Sequence, residues 1–278
     1  MKLYAISDLH LANKLNFQAL EALPAHLDDW LILAGDNGEL EEHLKVAIFL
    51  LKRRFKRLIW VPGNHDLWTL PSQANPIRGE ARYHNLVDIC RQNDVLTPED
   101  PFETILVAGQ QYLVAPMFLL YDYSFRPIHI PAEKAVDWAA ESGVVCTDEE
   151  LLFPDPYLSR AKWCEQRCNY TEDRLKQEAT RNLPMILINH FPLRSEMAQL
   201  YQFPRFSLWC GTQRTEDWHI RFPVSVVVYG HMHIRSTRFQ DGVRFEEVSL
   251  GYPRDWVQQR GLKHYLREIL PGPTAPSF

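Results

Sequence analysis

The chain has 278 residues, of which 46% are hydrophobic and 23% charged, and its formal net charge at pH 7 is -5. These values are typical of a globular protein that buries a large core, and they fit one domain spanning residues 1–278. The negative charge argues against stable binding along a nucleic-acid backbone. We also expect neither export nor membrane anchoring, because no leader pattern and no apolar run of about 18 residues occurs.

The N-terminal part alternates short apolar runs with helical patterns, which predicts a βαβαβ unit. The predicted strands are 3–6, 30–34 and 57–61, and the predicted helices are 17–23 and 40–55. In the second helix, Leu44, Ile48 and Leu51 recur at helical spacing. Strands alternating with helices favour an α/β fold.

Further along the chain, strands are predicted at 104–107, 112–115, 185–189, 224–229 and 243–250, and a helix at 80–92. Asp241-Gly242 is typical of a hairpin turn, so antiparallel pairs and mixed sheets are expected near the end of the chain. The segment 67–182 includes a stretch rich in proline and aromatic residues. We interpret that segment as a cap-like insertion beside a functional site.

The cysteines form no regular framework, and they are Cys90, Cys146, Cys164, Cys168 and Cys210. An odd number in a chain of this size is typical of reduced thiols, which predicts a cytoplasmic protein. Cys164 and Cys168 lack the spacing of a zinc ribbon, so we expect them on an ordinary helix surface.

Polar clusters follow the predicted strands. They are Asp8-Leu9-His10, Gly35-Asp36, Gly63-Asn64-His65-Asp66, Asn189-His190 and Gly230-His231-Met232-His233. Each cluster alone is weak, since Asp-x-His arises by chance and Gly-Asp is common in turns. However, the carboxyl ends of strands in an α/β sheet meet in one crevice. Together the clusters offer a mixed oxygen and nitrogen ligand set, which suits Mn, Fe, Zn or Co better than calcium.

In order and type, these clusters resemble the calcineurin-like metallophosphoesterase superfamily, whose pattern is D-x-H, G-D, G-N-H-[DE], H and G-H-x-H. Every block is present. The resemblance spans residues 3 to about 252 and leaves 67–182 largely unaddressed. It implies an αββα sandwich of two mixed β-sheets flanked by helices. It also implies a dinuclear metal-dependent hydrolase acting on phosphodiester bonds, or on phosphomonoester bonds.

The resemblance further implies roles for individual residues. Two metal positions share these ligands: Asp8, His10 and His233 for one, Asn64, His190 and His231 for the other, and Asp36 as the bridge. The cofactors are then two divalent or mixed-valence transition metals, with Mn or Fe favoured. His65 is implied as the acid that protonates the leaving oxygen, a role that suits a histidine side chain. Gly35, Gly63 and Gly230 are expected at tight turns beside the ligands.

The substrate is less constrained. The G-D block lacks the extension of Ser/Thr protein phosphatases, and His65 stands where the lipid A pathway pyrophosphatases have arginine, which disfavours both branches. Several strings, at 63–68, 78–83, 96–100, 120–125 and 248–253, are similar to those of a bacterial branch that includes phosphopantetheinyl hydrolases. That similarity implies a holo acyl or peptidyl carrier protein as the partner and substrate.

Two alternatives remain open from the sequence. One is a phosphodiesterase of small molecules, acting on cyclic nucleotides or nucleotide-linked metabolites. The other is a scaffold of the same fold that has lost catalysis, which is disfavoured because every implied ligand and His65 are present.

Two further groups of residues have competing interpretations. Arg78 and Arg82 are spaced one helical turn apart and can meet a substrate phosphate or an acidic carrier helix, although a solvated helix face is the favoured interpretation. Several aromatic residues can line a pocket, but core packing explains most of them equally well. They are Trp68, Tyr121, Tyr123, Phe125, Trp209 and Trp218.

Overall fold

The computed structural model describes residues 1–73 and 76–273. The strands in these ranges are β1 (Leu3–Ile6), β2 (His26–Ala34), β3 (Phe55–Val61), β4 (Glu103–Val107), β5 (Gln110–Pro116), β6 (Met185–Ile188), β7 (Val224–Tyr229), β8 (Ser236–Gln240), β9 (Val243–Glu247) and β10 (Arg267–Leu270). The helices are α1 (Lys14–Glu21), α2 (Glu41–Leu51), α3 (Asn64–Leu67), α4 (Gly79–Gln92), α5 (Ala135–Ala140), α6 (Asp148–Leu151), α7 (Arg160–Ala179) and α8 (Trp218–Arg221). None of these described helices combines the length and apolarity that a membrane span requires.

The strands form a four-stranded sheet of order β10-β1-β2-β3 and a six-stranded sheet of order β4-β5-β6-β7-β9-β8. In the first sheet β1, β2 and β3 are parallel and β10 is antiparallel. In the second, β5, β6, β7 and β9 are parallel, and the two edge strands β4 and β8 are antiparallel. The prediction of two mixed sheets is therefore confirmed.

Alternate residues of both sheets form one apolar layer between them, as the two-residue period of a strand requires. Its members include Leu3, Ala5, Ile32, Ala34, Ile59 and Val61 from the first sheet and Val114, Ile186, Ile188, Val226 and Val228 from the second. The outward faces pack against helices, and the predicted apolar residues of α2, Leu44, Ile48 and Leu51, are buried there. The layers are helix, sheet, sheet and helix.

The segment 67–182 is not wholly an insertion outside the sheets. It supplies β4 and β5, which are strands of the six-stranded sheet. Its remaining part contains α5, α6 and the 20-residue helix α7. The single-domain assignment and the cap role of this segment stay predictions.

The expectation that Cys164 and Cys168 lie on a helix surface is wrong. Both are buried on α7, and their sulfur atoms lie 3.9 Å apart. Trp163 and Leu175 are buried on the same helix. Because α7 is rich in charged residues, its short apolar stripe does not stand out in the sequence.

Asn16 connects the loop after β1 to the C-terminal part of the chain. Its buried Nδ2 donates to the carbonyl oxygens of Leu9 (2.8 Å) and Gly251 (2.9 Å). Its Oδ1 accepts a hydrogen bond from Trp256 Nε1 at 3.0 Å. The side chain therefore fixes two loops that border the polar clusters.

We expect Asn16→Leu to lower the free energy of unfolding by about 2–3 kcal/mol, because buried polar partners lose their hydrogen bonds. Urea unfolding followed by tryptophan fluorescence measures this loss. The matched control is Gln18→Leu at an exposed position of the same helix, where we expect a change within about 0.5 kcal/mol. Equal unfolding midpoints for the two variants would show that Asn16 has no such role.

Candidate metal centre

The carboxyl ends of strands from both sheets meet at one edge of the molecule. After β1, the backbone N–H of Ser7 donates to Val248 O at 3.2 Å, and the N–H of Leu250 donates to Ser7 O at 2.9 Å. Ser7 and Ser249 form a parallel bridge. The polar clusters that follow the strands are thereby brought to one place, as the sheet geometry predicts.

Asp8, His10 and His233 form one group at this edge. His233 Nε2 lies 3.1 Å from Asp8 Oδ1 and 3.3 Å from His10 Nε2. His10 Nε2 lies 3.9 Å from Asp8 Oδ1. One ligand atom from each residue falls within 4.8 Å of the others, a spacing that can hold a metal ion.

A second group contains Asp36, His190 and His231, whose ligand atoms also lie within 4.8 Å of one another. His190 Nε2 lies 3.4 Å from Asp36 Oδ2 and 3.2 Å from Asn64 Oδ1. Asp36 also belongs to a group with His10 and His65. Its carboxylate therefore lies between the two sets of predicted ligands.

Hydrogen bonds on the far side of two imidazole rings fix the direction in which they face. His190 Nδ1 lies 2.9 Å from Ala34 O. Because a carbonyl oxygen only accepts, Nδ1 must donate, which leaves Nε2 facing the cluster. His233 Nδ1 pairs in the same manner with Asp255 Oδ2 at 3.1 Å. Such outer partners typically orient histidines that bind metals.

The two carboxylates of the centre are buried, yet both favour the ionised form. Burial alone raises a carboxyl pKa, but His233 and His190 hold the pKa of Asp8 well below its usual range. His190 and His65 likewise hold the pKa of Asp36 below its usual range. The centre therefore presents negative charge in a site largely shielded from water.

His10 and His231 complement these carboxylates as neutral rings. Burial lowers the pKa of His10 to about 4 and that of His231 to about 3. Among the described residues, the buried Nε2 of His231 has no hydrogen-bond partner. A neutral imidazole nitrogen without a partner, beside ionised carboxylates, is a donor set that fits a transition-metal cation.

Several predicted ligands have left-handed backbone conformations. The φ angles are 54° for Asp8, 42° for His10, 56° for Asp36, 69° for His231 and 52° for His233. Each such residue costs on the order of 1 kcal/mol or more, and such conformations concentrate at functional sites. The loops that follow the strands thus have strained backbone conformations, which direct these side chains toward the same site.

Two of the predicted glycines allow these loops to approach closely. A Cβ atom at Gly63 would clash with Asp36 Oδ1. At Gly35, φ is 92° and an added Cβ would lie 2.5 Å from His190 Nδ1. Any larger residue at either position would displace a side chain of the centre.

Asp66 was not given a role from the sequence, although it ends the G-N-H-[DE] block. Its Oδ2 accepts hydrogen bonds from the backbone N–H of Asp36 (2.8 Å) and Gly63 (2.9 Å). Its Oδ1 accepts one from the N–H of Asn37 at 3.2 Å. Asp66 therefore ties the loop after β2 to the loop after β3.

His65 lies beside Asp36, with Nε2 4.0 Å from Asp36 Oδ2. Its Nδ1 pairs with Glu39 Oε1 at 3.2 Å, and its ring centroid lies 3.7 Å from that of Trp68. Burial opposes a positive charge on His65, but Asp36 and Glu39 raise its pKa. The sequence analysis gave Glu39 no role, because the residues after Gly35-Asp36 were compared only with the motif extension of Ser/Thr protein phosphatases.

A cleft of about 520 Å³ opens in front of these residues. Its lining includes the polar residues Asp36, Asn64, His65, His231 and His233. It also includes the apolar residues Val144, Val145, Phe203 and Phe206, and the Phe206 ring lies 5.9 Å from that of His231 between centroids. Val145 is 76% exposed and Phe203 is 57% exposed, which places them at the rim.

The two candidate arginines have different environments: Arg78 is exposed, as the favoured interpretation predicts, and Arg82 is not. Arg82 is buried, and it donates from Nε to Asp66 O and from a terminal nitrogen to Glu39 O, both at 2.8 Å. It supports the loops of the centre, so the favoured solvated helix face is wrong for Arg82. Arg78 precedes α4 and pairs with Asp155 at 3.1 Å.

The candidate aromatic residues divide between the cleft and the core. Trp68 lines the cleft. Tyr121, Trp209 and Trp218 are fully buried in the core. Phe125 borders a separate pocket, and Tyr123 is partly buried against the core.

Comparison with known proteins identifies the family. The model of the calcineurin-like phosphoesterase family matches residues 1–235. The chain belongs to this family. As a calcineurin-like phosphoesterase it is a hydrolase of phosphate esters, and the family uses a dinuclear metal centre.

A curated relative covers nearly the whole chain. It is the acyl-carrier-protein phosphodiesterase PptH of Mycobacterium tuberculosis, which is 47% identical over 279 residues, covering 99% of this chain and 86% of the relative. The crystal structure of the phosphopantetheinyl hydrolase PptH from the same organism superposes with a TM-score of 0.92 at 46% identity, covering 99% of this chain and 98% of that chain. The calcineurin-like fold is therefore shared along nearly the full length.

Because Asp36 lies between the two groups, we expect Asp36→Ala to weaken the binding of both metals by more than about 100-fold, the upper end of the effect of outer partners. Equilibrium dialysis against limiting Mn²⁺, followed by elemental analysis, measures both occupancies. The control is Asp28→Ala at an exposed position of β2, the strand that precedes Asp36, which should keep both metals. Full occupancy in Asp36→Ala would exclude a bridging role.

Proposed function

We propose that this protein hydrolyses the phosphodiester between phosphopantetheine and a serine of a holo acyl or peptidyl carrier protein. The observation that carries the proposal is the 47% identity, over 99% of the chain, to a protein named acyl-carrier-protein phosphodiesterase. The superposition with a phosphopantetheinyl hydrolase supports it along the same length. The product is the whole phosphopantetheine arm, and the carrier protein regains a free serine.

The residues that line the cleft support this substrate. The phosphate of a phosphopantetheinyl group suits the polar lining residues, among them Asp36 and His65. The attached arm is extended and carries a gem-dimethyl group, which suits the apolar lining residues Val144, Val145 and Phe203. Apolar walls with a few convergent polar groups are typical of small-ligand sites.

We propose that the centre holds two transition metals, with Mn or Fe favoured by the mixed oxygen and nitrogen donors. The proposed ligands are Asp8, His10 and His233 at one position, Asn64, His190 and His231 at the other, and Asp36 at both. When bound, such cations polarise the phosphoryl oxygens and neutralise the charge that develops on them. The neutral His10 and His231 leave ring nitrogens available to the metals.

His65 is the proposed general acid. In the reaction, a water oxygen forms a bond to phosphorus and loses one proton to solvent, while the bond from phosphorus to the serine oxygen breaks; His65 afterwards regains a proton from solvent. The proton on His65 Nε2, which faces Asp36, passes to the serine oxygen as it leaves. Glu39 holds Nδ1 from the other side, and its charge favours the protonated ring that this step needs.

We propose the cytoplasm as the location of this reaction. All five cysteines are unpaired, and Cys90, Cys164, Cys168 and Cys210 are buried. Free thiols suit a reducing compartment.

To test the substrate, holo acyl carrier protein is incubated with the Mn-loaded protein and its intact mass is measured, with bis(nitrophenyl) phosphate as a general activity control. We expect the carrier protein to lose the mass of the entire phosphopantetheine arm. His65→Ala should prevent this loss, whereas His84→Ala, at an exposed position of α4, should not.

If only the nitrophenyl ester is cleaved, the carrier-protein proposal fails and the phosphodiesterase assignment stands. Cyclic nucleotides and nucleotide-linked metabolites then become the substrates to test. Metal-free protein without hydrolysis of either substrate after Mn addition would indicate a scaffold that has lost catalysis.

The acid role of His65 predicts a dependence on the leaving group. In His65→Ala, we expect esters of simple alcohols to be slowed by about 100-fold or more, and nitrophenyl esters far less, because nitrophenolate leaves without a proton. Rates across a series of phosphodiesters with graded leaving-group pKa measure this difference, and metal content is checked in parallel. Equal slowing of the whole series would exclude His65 as the acid.

A further inference from the structure

Asp148 lies beside the metal centre although it is remote in sequence from every proposed ligand. It is the first residue of α6 and is fully buried. Its Oδ1 accepts a hydrogen bond from Asn64 Nδ2 at 3.0 Å and another from Trp68 Nε1 at 2.6 Å. A carboxylate of the segment between β5 and α7 thus contacts Asn64, the first residue of α3, and Trp68, which follows α3.

The first contact determines which end of the Asn64 amide faces the centre. Because Asp148 Oδ1 already accepts a hydrogen bond from the indole N–H of Trp68, it acts as an acceptor here and can hold only the NH₂ end of the amide. The amide oxygen then faces His190 Nε2, 3.2 Å away. With the amide turned over, its oxygen would face the Asp148 carboxylate and its NH₂ group would face the metal position, and both arrangements are repulsive.

The second contact acts on the proposed acid. The Trp68 ring lies against His65, with 3.7 Å between ring centroids. The indole N–H is held by Asp148, so the ring cannot rotate away without losing a partly buried hydrogen bond. His65 is therefore enclosed by Trp68 on its face and by Glu39 at Nδ1.

Asp148 is itself held in place from both sides. Arg160 donates to Asp148 O at 2.7 Å and to Leu152 O at 2.8 Å. The N–H of Thr69, just after Trp68, donates to Leu151 O at 2.9 Å. The carboxylate is thus presented from an anchored segment, which is what precise support of a site requires.

We propose that Asp148 is a positioning residue for the metal centre, which directs the oxygen of Asn64 toward the second metal and holds Trp68 against His65. The inference rests on the proposed metal role of Asn64 and on the acid role of His65. It does not depend on which phosphodiester is the substrate.

The test compares metal affinities rather than activity. In Asp148→Ala, titration with Mn²⁺ by equilibrium dialysis and elemental analysis should show one of the two affinities weakened by about 10–100-fold, as for other outer partners of a metal site. The other affinity should be retained. Glu150→Ala removes an exposed carboxylate from the same helix and should leave both affinities unchanged.

Conservative variants distinguish a role of Asp148 in orienting Asn64 from a general contribution of Asp148 to stability. Asp148→Asn keeps a carbonyl oxygen that can accept from Asn64, so it should recover most of the lost affinity. Trp68→Phe removes the indole donor and part of the ring but no proposed ligand, so it should keep both metals. If Asp148→Ala does not fold, as judged by circular dichroism and its unfolding midpoint, the same titration is made on Asp148→Ser. The serine side chain is too short for its oxygen to reach both Asn64 and Trp68.

A folded Asp148→Ala or Asp148→Ser protein with both affinities at the wild-type level would overturn the inference, and so would an equal loss of both. Asn64→Ala is titrated alongside. If Asn64→Ala weakens one metal and the Asp148 variants do not, only the role of Asp148 fails. If Asn64→Ala leaves both affinities unchanged, the ligand assignment in the proposed function is wrong.

Discussion

The structure depends on the burial of two ionised carboxylates, Asp8 and Asp36, where the two sheets meet. Buried charge is costly unless neighbouring groups compensate it. Here His190 and His233, when protonated, compensate it through their Nε2 atoms, and bound metals would take over that compensation from these protons. The same need explains why ligands from strands of both sheets converge at one edge, and why their loops accept left-handed backbone conformations.

Around the proposed ligands, a second layer of residues comes from different parts of the fold. The carbonyl oxygen of Ala34 in β2 orients His190, and Asp255, near the C-terminal end, orients His233. Glu39 holds the proposed acid, and Asp148 brings the segment before α7 into the same network. Three proposed ligands and the proposed acid are thereby tied to separate parts of the fold, so the geometry of the centre depends on how these parts pack together.

The sequence could predict those features of the centre that depend on residues close together in the chain. Asp8 and His231 closely follow apolar strand runs, and the carboxyl ends of such strands meet at one edge, so the convergence of these side chains could be predicted. Their assignment as ligands came from the family resemblance and stays a prediction. Asp148 could not be predicted, because its contact with Asn64 spans 84 residues and no motif marks it. Arg82 was expected on a solvent-exposed helix face, because helical spacing alone does not show which face of a helix packs against a loop from elsewhere in the chain. The extent of α7 was missed for a related reason, since its buried stripe is short and surrounded by charged residues.

The most direct measurement is the anomalous X-ray scattering of crystals grown from metal-loaded protein, recorded on both sides of the Mn and Fe absorption edges. The account predicts two peaks. One should lie among Asp8, His10 and His233, the other among Asn64, His190 and His231, with Asp36 in contact with both. A single peak, or two peaks that Asp36 does not join, would contradict the dinuclear centre proposed for this chain.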